Sequence, residues 1–189
     1  MPRALRLATV VLLSLCAGVA GAATSSPAPE TLQPLLATLN ERLNIGDLVA
    51  LTKWDSGKPI QDSPREAQVI ANARTLAAER KLDPEDVAQL IAAQMEANKL
   101  VQYGLLAKWQ AVGAAPDTPR PDLGKQIRPR LDELQTRLLQ QYADFTPYRH
   151  DPECTAWLAE ARSGLAQDAL HELALIRATG ELCIRATAP

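Results

Sequence analysis

LQPLLATLNERLNIGDLVALTKWDSGKPIQDSPR, residues 32–65, begins as a helix with one leucine-lined face. At about 100° per residue, Leu32, Leu35, Leu36, Leu39 and Leu43 cluster about a single line, the stripe expected of a core-facing surface. Arg42 and Lys53, eleven residues apart, fall only about 20° from each other at the edge of that stripe. Arg65, further on, is the third cation that the spacing turns inward. Cations beside an apolar stripe commonly lay their methylene stems over the core and carry the charge out to water, and that alternative stays open for this pair. The other reading is that an anion is bound among them.

Working back from this stretch, residues 23–30 form a Ser/Pro/Ala-rich leader, expected to be flexible, with nothing to bury. Before it, Arg3 and Arg6 precede the apolar run Leu7 to Leu15 and the small-residue stretch AGVAGAA, the form of a secretory signal. We expect residues 1–22 to be cleaved, after Ala22 or Ala23. The apolar run is too short for a stable membrane anchor, and Leu15 before Cys16 fits a lipoprotein signal poorly. The expectation is an exported protein, periplasmic or secreted, with no membrane association once the signal is removed.

The 189 residues suit one domain, expected over residues 31–185, with enough chain to bury a core. Without Arg3 and Arg6, 18 Lys plus Arg remain against 22 Asp plus Glu, a net charge of minus four. No long basic run accompanies it, so no nucleic-acid-binding face is suggested and the inward cations are a local feature. Cys16 leaves with the signal. Cys154 and Cys183 remain, an even pair in an oxidising compartment, and are expected to form one disulfide, two reduced buried thiols being the alternative.

Working forward, helix one is expected over residues 31–54, with a kink near Gly46-Asp47, and DSGKPIQ reads as a turn. Ser63 is the expected N-cap of helix two, with Pro64 in the first turn and Glu66 closing a capping box, which sets Arg65 in that turn. Asp83 and Pro84 repeat the device for a third helix reaching about residue 114. On that helix Val87, Leu90, Ile91, Met95, Val101 and Leu105 form an apolar arc, and Gln94, Asn98 and Gln102 lie inside it. Buried amides without partners cost about 1–3 kcal/mol each, so they call for helix-to-helix hydrogen bonds or for a polar ligand. A pocket of Arg42, Lys53, Arg65, Asn98 and Gln102 explains cations and amides together.

After a loop at 113–121, a further amphipathic helix carries Arg128 and Arg130 around Pro129, and DPEC caps a segment running from Cys154 to Cys183 with a break near Gly164. The pattern is all-α, a single helical domain of about six helices, with no β-type alternation long enough for a sheet. There is no P-loop and no dinucleotide-binding glycine pattern, and His150 and His171 are too sparse for a histidine metal site.

The order ERL, then eleven residues from its Arg to the Lys of TKW, IQDSPRE twelve further on, and QMEANKLVQY thirty-three beyond Arg65 resembles the all-helical chorismate mutases. The signal and the C-terminal half with its cysteine pair resemble their secreted, periplasmic subclass. The resemblance covers roughly residues 31–183. It implies conversion of chorismate to prephenate by a concerted rearrangement with no cofactor, metal or covalent intermediate. It further implies that Arg42 and Arg65 bind substrate, that Lys53 and Gln102 donate to the ether oxygen, and that Asn98 contacts a carboxylate. Asp62 and Glu66 match acidic positions beside the substrate hydroxyl. Arg128 completes the site within one chain, a one-turn shift to Arg130 being the alternative. Helices this apolar suggest a homodimer. Two other readings stand beside it: an isochorismate pyruvate-lyase, and a non-catalytic helical envelope domain, which requires Arg42 and Gln102 on an outer face.

Overall fold

A computed structural model describes residues 26–184, so the expected signal segment lies outside the described residues. The architecture is all-helical. The elements are α1 (Leu32–Ser56), α2 (Ser63–Glu79), α3 (Pro84–Val112), a π-helical turn (Leu123–Ile127), α4 (Arg128–Phe145), a short 3-10 turn (Thr146–Tyr148), α5 (Cys154–Arg162) and α6 (Ala169–Ala178).

The leucine stripe of α1 is where the molecule closes on itself. Leu32, Leu35, Leu36 and Leu39 have no exposed surface and meet Val87, Leu90 and Ile91 of α3 and Leu138, Leu139, Tyr142 and Phe145 of α4. Each such side chain contributes about 1.5–3 kcal/mol on leaving water, so this face holds α1 between α3 and α4. α6 covers α3 and α1 on another side, where Ala174, Leu175 and Ala178 cluster with Ala97 and Val101 of α3 and Leu43 of α1.

Contrary to the expected kink, α1 runs unbroken past Gly46. The glycine serves close helix approach instead. A Cβ there would lie 3.0 Å from the Asn98 amide nitrogen, so its absence lets α3 bring that amide against α1. α1 stops at Gly57, whose φ of 62° is the left-handed C-cap that glycine adopts without strain.

The cap of α2 falls one residue earlier than expected. Asp62, not Ser63, accepts from the Arg65 backbone N–H, and Glu66 accepts from the Asp62 N–H. The longer carboxylate arm spans the first turn with Pro64 inside it, and the reciprocal bonds still seat Arg65 there. Asp83 caps α3 as expected, accepting from Glu85 and Asp86.

In the C-terminal part, Cys154 and Cys183 are bonded, with Cα atoms 5.8 Å apart. Closing a loop with a sequence separation of 29 residues stabilises the fold by roughly 3–4 kcal/mol on the loop-entropy account. Gly164, with φ 80°, marks the expected break between α5 and α6. Within the described part of the leader, the Ser26 carbonyl accepts from Trp157 Nε1 at 2.7 Å.

Candidate active site

A cavity of about 180 Å³ lies between α1, α2, α3 and the start of α4. It is lined by Arg42, Lys53, Asp62, Arg65, Glu66, Asn98, Gln102 and Arg128, the eight positions singled out in the sequence, brought together from four helices. Arg42 and Gln102 are only 7% and 4% exposed, which removes the reading that puts them on an outer face.

Most of these side chains are held by the local fold. Arg42 Nη1 donates to the Leu131 carbonyl of α4 at 2.8 Å, and its Nε is buried with no partner inside the protein. Burial lowers this guanidinium to about 10 against the pull of Asp132, so it remains a cation at neutral pH. Lys53 Nζ gives one hydrogen to the Pro59 carbonyl at 2.7 Å and keeps two for a ligand. Arg65 lies 4.0 Å from Asp132. The amides form a chain: Asn98 Nδ2 donates to the Arg42 carbonyl at 3.3 Å, and Gln102 Nε2 donates to Asn98 Oδ1 at 2.7 Å. Through it, α1 sets the orientation of Gln102.

The third inward amide has a different task. Gln94 Nε2 donates to the Ala178 carbonyl at 2.7 Å, a helix-to-helix bond that holds the end of α6 on α3. Arg128 faces the cavity, whereas Arg130 is turned away and ion-paired with Glu41 and Glu133.

Three further polar liners, Lys99, Asp132 and Gln135, lie outside the positions read from the sequence. Lys99 projects about 40° outside the apolar arc of α3, and only its long stem carries the ammonium back to Glu66 at 3.0 Å. Asp132 and Gln135 follow Arg128 at i+4 and i+7, a same-face spacing that could have found them. Five cations (Arg42, Lys53, Arg65, Lys99, Arg128) stand against three carboxylates (Asp62, Glu66, Asp132), a surplus of two positive charges.

The profile of the family "Chorismate mutase type II" matches residues 33–103, which hold all of these residues except those of α4. The chain is 30% identical to the secreted chorismate mutase of Mycobacterium tuberculosis over 96% of its own length and 95% of that protein. The chain belongs to the chorismate mutase family. It is 32% identical to the secreted chorismate mutase of Mycolicibacterium smegmatis, over 94% of its length and 99% of that protein. The crystal structure of chorismate mutase from Burkholderia phymatum superposes with a TM-score of 0.80 at 45% identity, covering 82% of this chain and 96% of that one. As a chorismate mutase the chain is an isomerase. Among the described residues no helix is long and apolar enough to cross a membrane.

Proposed function

We propose that the cavity binds chorismate as a dianion and rearranges it to prephenate, with Arg42, Arg65 and Arg128 on the carboxylates and Lys53 and Gln102 on the ether oxygen. The observation that carries this is the pair of surplus positive charges in a half-open pocket, matched to a substrate with two carboxylates. Planar guanidinium groups hold carboxylates by paired, charge-assisted hydrogen bonds, and the unpartnered Arg42 Nε supports that role.

The reaction breaks the ether carbon–oxygen bond while a carbon–carbon bond forms, with no proton transferred. Folding the enolpyruvyl arm over the ring costs entropy, which a pocket on rigid helices offsets in advance. As the bond stretches, negative charge grows on the ether oxygen. Lys53, and the Gln102 N–H that now makes only a long 3.4 Å bond to the Asn98 carbonyl and turns from it to the substrate, are donors whose interaction strengthens at that moment, which lowers the barrier rather than merely binding substrate. Asn98 orients Gln102 and sits beside a carboxylate. Asp62 and Glu66 accept from the substrate hydroxyl.

The test is prephenate formation from chorismate by purified mature protein, with isochorismate run in parallel. Prephenate at a saturable rate is expected; pyruvate release from isochorismate with no prephenate overturns the assignment.

Export to the periplasm after cleavage near residue 22, with one catalytic domain over residues 31–185, extends this reading and is supported by the secreted relatives. A homodimer accords with the exposed apolar side chains Leu173 and Ile176 on α6 and Tyr103 on α3.

A further inference from the structure

We propose that Lys99 is a positioning residue of this site, holding Glu66 in place for the substrate hydroxyl; the inference rests on the chorismate reading of the cavity. Lys99 follows Asn98 on α3, and its Nζ lies 3.0 Å from Glu66 Oε2, with the two side chains 20% and 23% exposed. The other oxygen of Glu66 accepts from the Asp62 backbone N–H at 3.2 Å. The carboxylate is therefore gripped at both oxygens, from its own helix cap and from a second helix, and each oxygen keeps a lone pair for a hydroxyl.

This grip has a wider reach than one side chain. The first turn of α2 carries Asp62, Arg65 and Glu66 together, and among the described residues the Lys99–Glu66 pair is its hydrogen-bonded link to α3, which carries Asn98 and Gln102. The other side-chain bond between these helices, Arg74 to Glu85, lies further along α2 and away from the cavity. Lys99 also supplies one of the two surplus positive charges. Without it, the pocket offers one surplus charge to a dianion; with Glu66 neutralised as well, the surplus returns to two. Losing Lys99 and losing Glu66 are thus expected to be coupled, not independent.

A group that acts by holding a hydroxyl acceptor affects ground state and transition state alike, so its loss appears in KM more than in kcat. For Lys99→Met, which keeps the apolar stem, KM for chorismate is expected to rise about tenfold with kcat within about twofold, the scale of one lost charged hydrogen bond. Lys99→Arg should restore most of the affinity. Introduced into Glu66→Gln, Lys99→Met should change KM by less than about twofold. An unchanged KM in Lys99→Met, no rescue by arginine, or an undiminished loss in the Glu66→Gln background overturns the proposal. Thermal midpoints of the wild type, Lys99→Met, Glu66→Gln and the double variant read the pair without turnover: non-additive shifts are expected, and additive ones overturn it. A wild-type protein that makes no prephenate overturns the reading of the cavity, and with it the substrate role of Lys99, while the thermal cycle still reports on the pair.

Discussion

Two arginines are buried to nearly the same degree, Arg42 at 7% exposure and Arg149 at 5%, and their surroundings are opposite. Arg149 spends its donors inside the fold: Nε on the Leu182 carbonyl, Nη2 on the Glu181 carbonyl and Nη1 on Asp86, with the Tyr142 ring 5.0 Å below the guanidinium. Arg42 has one carbonyl partner, an unpartnered Nε, and a cavity carrying a cationic surplus. Burial of a cation does not distinguish architecture from function. The state of its donors does, because an unpartnered buried donor costs stability that a bound anion can recover.

The comparison breaks most readily at Arg149. Truncating one partner of a buried charged network costs about 3–5 kcal/mol, so Arg149→Ala should lower unfolding free energy by about that much in denaturant titration, while the remaining folded protein turns over normally. A loss under about 1 kcal/mol would remove its structural role. Arg42→Ala should do the reverse. Its kcat/KM should fall by roughly a hundredfold to a thousandfold, about 3–4 kcal/mol of transition-state stabilisation, and Lys53→Ala should do likewise. Stability of Arg42→Ala should stay level or rise, since a desolvated cation with an idle donor is gone. Near wild-type turnover in either variant takes the site apart.

A smaller effect sharpens the chemical half of the comparison. An amide at position 102 donates at any ordinary pH, whereas a carboxyl donates only while protonated. Gln102→Glu should therefore be active mainly at acid pH, with kcat/KM falling about tenfold per pH unit above the pKa of the new carboxyl. The wild type should show no such limb between about pH 5 and 8. Identical profiles for the two proteins would mean that Gln102 does not face the ether oxygen.

The smallest effect concerns a third polar cluster, on the far side of α1. The buried His171 ring lies with Nδ1 2.8 Å from Asp168 and Nε2 2.9 Å from Asp47, so both nitrogens face carboxylates. Burial pushes its pKa down, but the hydrogen bonds to Asp168 and Asp47 and their charges outweigh that and hold it above the ordinary value. The folded-state pKa being the higher, this contribution is complete below the unfolded value near 6.5 and is lost as pH rises through the folded pKa. Asp168, held low by its bonds to His171, sets the other limit: its contribution is present above the ordinary carboxyl range and is lost on acidification. Thermal midpoints from about pH 5 to 9 should decline on the alkaline side for the wild type and less so for His171→Asn; parallel curves would exclude the clamp.

The amides show why the fold was more legible than the site. Helix limits follow from local signals, and Asp83-Pro84 and Gly57 mark them within a residue or two. The α2 cap was misplaced by one position because Asp62 and Ser63 both suit a cap and only backbone geometry selects between them. Gln94 and Gln102 lie on the same inward face at four-residue steps and both line the cavity, so the sequence cannot tell that one is spent on α6 and the other is paired with Asn98. Lys99 was missed because side-chain length, not angle on the helix, decides where its charge ends up.

By itself, then, the sequence determined what is periodic or local: the six helices, the faces they bury, the cationic and amide positions on those faces, and the parity of the cysteines. The tertiary structure alone decided which of those polar groups are spent on the fold. Their partners are carbonyls far along the chain, Leu131 for Arg42 and Ala178 for Gln94, separated by 89 and 84 residues. Helical periodicity turns a side chain inward, but only packing determines what it meets there.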